Sequence, residues 1–134
     1  LYIEQFRMLL NDKNDPTAAY AYIANVVVER GSEDPELLTW IAKEIAGGES
    51  ISDQDRRMDV AMNAAKTALT FARRNTDPLY ISTIAYVHFY NGNIDEAIKW
   101  QRKAYFSARE KDKATYKYDL DSYRTQRQHV EAVE

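Results

Sequence analysis

The chain has 134 residues and a net charge of −3, which is length enough to bury one core and too mild a charge to argue for nucleic acid. Its 45% hydrophobic and 29% charged residues fit a globular domain, while four glycines and three prolines are too few for a turn-rich β fold. No cysteine is present, so disulfides, thiol catalysis and cysteine-based zinc sites are excluded within this segment. No stretch is apolar over the length a membrane span needs, and no signal-peptide pattern is found. The opening "LYIEQF" lacks a methionine and is expected to belong to something longer.

The predicted elements are all helices. Tyr2, Phe6 and Leu9 carry a short first one. Each proline follows an aspartate, at Asp15-Pro16, Asp34-Pro35 and Asp77-Pro78. Aspartate accepts an orphan backbone N–H at a helix start, and proline at the first helical position gives up no hydrogen bond. Each pair therefore opens a helix. The one after Pro16 carries Tyr20, Ile23, Ala24 and Val27, although the Val26-Val27-Val28 run favours strand. The one after Pro35 carries Leu37, Leu38, Ile41, Ala42 and Ile45 and stops at Gly47-Gly48. "SDQD" (52–55) reads as a capping box before a fourth helix with Val60, Ala61, Ala64, Ala68 and Phe71. The fifth follows Pro78, carries Ile81, Ile84, Ala85, Val87 and His88, and stops near Asn91-Gly92. "NIDE" (93–96) reads as a second capping box, opening a sixth helix with Ala97, Ile98, Ala104 and Ala108. Tyr116, Leu120 and Tyr123 define a seventh, and the tail from Gln126 has no apolar stripe and is expected to fray.

Part of this pattern occurs twice. "VAMNAAKTALTFARR" (60–74) lies over "EAIKWQRKAYFSARE" (96–110) without a gap, matching Ala61 with Ala97 and Ala68 with Ala104, 36 residues apart. Upstream, "DPELLTWIA" (34–42) lies over "DPLYISTIA" (77–85), matching Pro35 with Pro78 and Ala42 with Ala85, 43 apart. The difference of seven falls in the turn "AGGESISDQDRR", so a helix–turn–helix unit is used once with a longer turn. A period in the mid-thirties marks a helical repeat, in which small residues let helices approach and each pair needs a neighbour to cover its apolar face.

Pro78, Ala85, Gly92, Ala97 and Ala104 resemble the tetratricopeptide repeat. The resemblance is good over 78–111 and weaker over 35–77, where the long turn departs from it; 1–34 keeps a helix pair without the signature residues. It implies a right-handed array of about three helix pairs, with a capping helix over 112–125 and a frayed tail over 126–134. "TWIA", "DVAMNAAKTAL", "DP…ISTIAYVHFYNGNIDEAIKWQRKA" and "DLDSYR" also resemble C-terminal helical regions of exported bacterial thioredoxin-like proteins. That resemblance implies a redox domain upstream and an exported or periplasmic location; without it a cytoplasmic one is expected.

No catalytic constellation is visible. His88 lies among Ile84, Ala85 and Phe89 and reads as a satisfied packing histidine, and His129 falls in the tail. "NDKNDP" (11–16) and "GGESISDQD" (47–55) are oxygen-rich but lack calcium-loop spacing, so no metal or other cofactor is expected. The longer turn is a solvated connection or a contact loop. Lys99, Arg102, Lys103, Arg109, Lys111, Lys113 and Lys117 are interleaved with acids and read as a charged outer face.

A groove remains as the candidate site. The first helix of each stacked pair lines the concave side, which would hold Leu79, Ser82, Tyr86, Phe89 and Tyr90, with Glu36, Thr39 and Lys43 from the preceding unit. Tyrosine suits recognition by offering apolar area and one hydroxyl. Tyr86, Phe89 and Tyr90 are equally consistent with packing against the closing helix. The lysine and asparagine used by tetratricopeptide repeats that grip a C-terminal carboxylate are replaced by Ser82 and Tyr86, which disfavours that ligand. The expectation is one non-catalytic domain that binds a peptide segment or its own neighbouring domain, or else an accessory part of a larger redox protein.

Overall fold

Three carboxylate-to-backbone hydrogen bonds start the helices that the Asp-Pro pairs announce. Asp15 accepts from the Ala18 N–H (3.0 Å), Asp34 from Leu37 (3.1 Å) and Asp77 from Leu79 (3.0 Å). The computed structural model describes residues 1–133. Seven helices span them: α1 (Tyr2–Arg7), α2 (Pro16–Arg30), α3 (Pro35–Gly47), α4 (Met58–Phe71), α5 (Pro78–Tyr90), α6 (Ile94–Ser107) and α7 (Lys113–Val133). Among the described residues there is no strand. Neighbouring helices pack antiparallel: α3 on α4, α4 on α5, α5 on α6 and α6 on α7, while α5 also touches α3. The chain is all-α, as its periodicity predicts.

The alanines at the repeated positions sit where helices meet. Ala61, Ala64, Ala65 and Ala68 of α4 are fully buried, as are Ala85 of α5 and Ala97 and Ala104 of α6. With no side chain beyond Cβ at these points, backbones approach closely and the larger Leu38, Ile41, Ile45 and Ile84 fill the space between. Gly92 turns the chain between α5 and α6 at φ +83°, where a Cβ would be strained.

Several local expectations are corrected. The first helix does not run regularly to Leu9: a wider, π-type turn over Met8–Asp12 follows α1 and carries Leu10 into the core, with Leu9 half-buried. The valine run stays helical because Val26 and Val27 are buried, and this packing outweighs their strand preference; Val28 and Ala24 face outward. "SDQD" does not cap α4. Ser52 bonds Asp55 in a separate 3-10 turn, and α4 begins later, at Met58, without a side-chain cap. Asn93 precedes α6 but makes no side-chain cap bond either. Phe71, expected inside, is exposed at the end of α4.

The expected frayed tail over 126–134 is helical as far as Val133, so the closing helix extends well past residue 125. Its last turns are held by charge in place of an apolar stripe. Arg127 reaches Asp95 of α6 (2.8 Å) and Glu131 one turn on (3.5 Å). Glu134 lies outside the described residues. Further back, Phe89 of α5 stacks on Tyr123 of α7, with centroids 4.5 Å apart, over a small cluster containing Ala85 and Ala97. The fully buried Gln101 donates to the Tyr116 carbonyl (3.0 Å), tying α6 to α7 through a residue that no apolar pattern would single out.

Candidate functional site

Helix α3 has an inner and an outer face set by its 3.6-residue turn. Leu38, Ile41, Ala42 and Ile45 point into the core, which leaves Glu36, Trp40 and Lys43 on the opposite side. There α3 forms the floor of a groove of about 710 Å³, with α1 (Ile3, Arg7) on one wall and α5 (Leu79, Tyr86) on the other. Trp40 is 64% exposed within it. At the Asp34 end a second recess of about 330 Å³ adjoins, lined by Tyr2, Ile3, Asp34, Glu36 and Trp40.

Of the residues expected on this face, Thr39, Lys43, Leu79 and Tyr86 line the groove together, along with Glu36. Thr39 is nearly buried and bonds the Glu36 carbonyl (2.6 Å), so it supports the floor more than it offers a contact. Ser82 is half-buried and returns its hydroxyl to the Leu79 carbonyl (3.0 Å). Phe89 turns toward α7 and stacks on Tyr123, so at this residue the packing reading holds. Tyr90 is half-exposed and links the two environments, its ring 4.6 Å from that of Tyr86 and 5.4 Å from that of Phe89.

Tyr86 lies across the end of α3. A Cβ on Gly47 would collide with its hydroxyl and stand only 3.0 Å from its Cζ, so the absent side chain there makes room for the ring. Burial, then the neighbouring Tyr90, pushes the Tyr86 phenol up to about 12. The Lys43 Nζ stands 5.4 Å from the Tyr86 ring centroid, a cation over an aromatic face.

Arg7 and Glu44 close the far end of the groove with a two-pronged pair, Nε to Oε1 at 2.7 Å and Nη2 to Oε2 at 2.8 Å. The Arg7 guanidinium holds the Glu44 carboxyl below its usual range, helped by the Ser50 hydroxyl. Behind them, the lengthened turn is organised by Arg56. Its guanidinium donates to the carbonyls of Ile45 (3.0 Å), Gly48 (2.5 Å) and Ile51 (2.7 Å), and its Nε to Asp53 (3.1 Å). Tyr20 of α2 donates to the Asp55 carbonyl (2.5 Å) and accepts from the Arg57 N–H (3.1 Å). The turn is therefore an ordered brace joining α2, α3 and α4.

Sequence reasoning missed Trp40, Ile3, Arg7, Glu44 and Arg56. A signal for Trp40 existed, because a tryptophan opposite a helix's apolar stripe has no core to enter. Arg7 and Glu44 carry none, since each finds the other across 37 positions, and Arg56 bonds carbonyls of its own turn and of the end of α3, which no side-chain pattern marks.

The remaining candidates fall away from any site. His88 packs as expected but is not satisfied: its Nδ1 is buried without a protein partner, and burial pulls its pKa down. Lys103 lies over Trp100, Lys113 over Tyr105, and Lys117 pairs with Asp121 (2.8 Å), so these late basic residues are engaged within the fold. Among the described residues no group of three or more His, Asp or Glu side chains gathers as a metal site, and no helix is long and apolar enough to cross a membrane. The chain finds no significant match among protein-family models, curated proteins or solved structures.

Proposed function

We propose that the chain is a non-catalytic interaction domain, built as a tetratricopeptide-like right-handed array, that binds a peptide segment of a partner or a neighbouring domain in the α1–α3–α5 groove. The observation that carries this reading is Trp40: a large indole left mostly in water, on the floor of an elongated groove whose walls present Ile3, Leu79 and Tyr86. Exposed aromatics in concave, largely apolar surroundings are what binding surfaces use for affinity. The array reading is supported by the pairing of α3 with α4 and of α5 with α6, and by the burial of the alanines 36 residues apart.

The test is selection of a phage-displayed random peptide library on the whole chain. Synthetic versions of the selected peptides are then titrated against wild type and Trp40→Ala. Loss of a central aromatic anchor costs about 2 kcal/mol, so affinity should fall roughly 30-fold. Because Trp40 lies outside the core, far-UV circular dichroism and Tm should not change. Equal binding by the variant, or no peptide enriched over a control surface, rejects the groove as the site.

A further inference from the structure

The charges along the groove say what kind of segment fits it. Glu36, Trp40 and Lys43 lie at i, i+4 and i+7 on the outer face of α3, and so follow one another along the groove. At 1.5 Å rise per residue the two charged positions are about 10 Å apart. Their neighbours leave both available. Arg7, the other basic side chain lining the groove, is committed to Glu44 in a two-pronged pair. Among the described residues, neither Glu36 nor Lys43 forms an ion pair. Lys43 rests over the Tyr86 ring and lies only within Coulombic reach of Asp119 on α7. At the other end, the recess beside Trp40 brings Asp34 and Glu36 together with two aromatic rings and no basic side chain. One Asp34 oxygen caps α3, which leaves the other for a ligand.

Resting on the binding reading above, we propose that the groove recognises a protein segment of the order base–apolar–acid. A lysine or arginine of the partner enters the recess against Asp34, Glu36 and the Trp40 face. A large apolar side chain covers Trp40 between Ile3 and Leu79. An aspartate or glutamate about 10 Å from the base pairs with Lys43. A guanidinium or ammonium gains twice in the recess, from the carboxylates and from the aromatic face. Rim charges of this kind set register and exclude wrong partners more than they add affinity.

The same peptide selection tests this, now read for sequence. Wild type should enrich peptides in which a basic and an acidic residue flank an apolar one. Interchanging the two charged residues in a selected peptide should weaken its binding about fivefold. The doubly reversed variant Glu36→Lys, Lys43→Glu should prefer the interchanged peptide to the original. Both positions are exposed on α3, so the reversal leaves the core intact, and Tm checks this. Peptides that lose affinity on Trp40→Ala yet show no charge order, or bind the reversed variant equally well, overturn this inference and leave the groove in place. Peptides indifferent to Trp40→Ala, or no enrichment at all, overturn both.

Discussion

Arg56 is one residue on which the geometry of the groove floor depends, and removing it should be costly. Its guanidinium satisfies three carbonyl oxygens, of Ile45, Gly48 and Ile51, and its side chain is only 14% exposed. Hydrogen bonds from a charged donor contribute at least about 1.5 kcal/mol each, which puts the set near 4.5 kcal/mol. Water can reach part of this turn once the side chain is gone, so Arg56→Ala is expected to cost about 3 kcal/mol. For a chain of this size that is a fall in Tm of roughly 10 °C. Arg56→Lys keeps the charge but not the planar fork, and should recover only about a third of the loss. Urea unfolding of the two variants, with amide exchange over residues 47–57, measures both effects. If Arg56→Ala unfolds within about 0.5 kcal/mol of wild type, the turn is held by its other contacts and the reasoning is wrong.

Three further predictions concern pH and the closing helix. Glu44 has its carboxyl lowered from 4.5 by Arg7, so its contribution is present above that value and lost as pH falls through the folded-state pKa. Arg7→Ala should cost about 1 kcal/mol at neutral pH and flatten this acid limb in urea titrations at stepped pH. Tyr86 runs the other way. A phenol raised from 10.0 to about 12 contributes stability below pH 10 that is lost as pH rises through 12, so Tyr86→Phe should move the midpoint of alkaline unfolding upward. Tyr123→Ala removes the stack on Phe89 and should cost about 3 kcal/mol, with hydrogen exchange quickening along α7 before it does in α3 and α4.

The α-helical class and most helix starts were legible in the sequence, because both are local. Asp15, Asp34 and Asp77 cap the helices that begin one residue later, and capping needs only neighbours within one turn. The inward stripe of α3 and the alanines of α4 and α6 follow from helical period alone. Lys43, Leu79 and Tyr86, expected on one face from the repeat resemblance, line one groove together with Trp40, which that reading did not include.

What escaped sequence reading was decided between residues far apart in the chain. Arg7 finds Glu44 across 37 positions, Asn11 finds the Ser50 carbonyl across 39, and Tyr20 finds the long turn across 35. Arg127 finds Asp95 across 32, which ties the last turns of α7 to the start of α6. Phe89 and Tyr86 occupy neighbouring turns of one helix, yet one stacks on α7 and the other spans Gly47. A sequence specifies which face of a helix is apolar because a single helix has that period. Which partner covers the face, and which aromatic is left in water, depends on how the helices come together, and only the tertiary structure decides it.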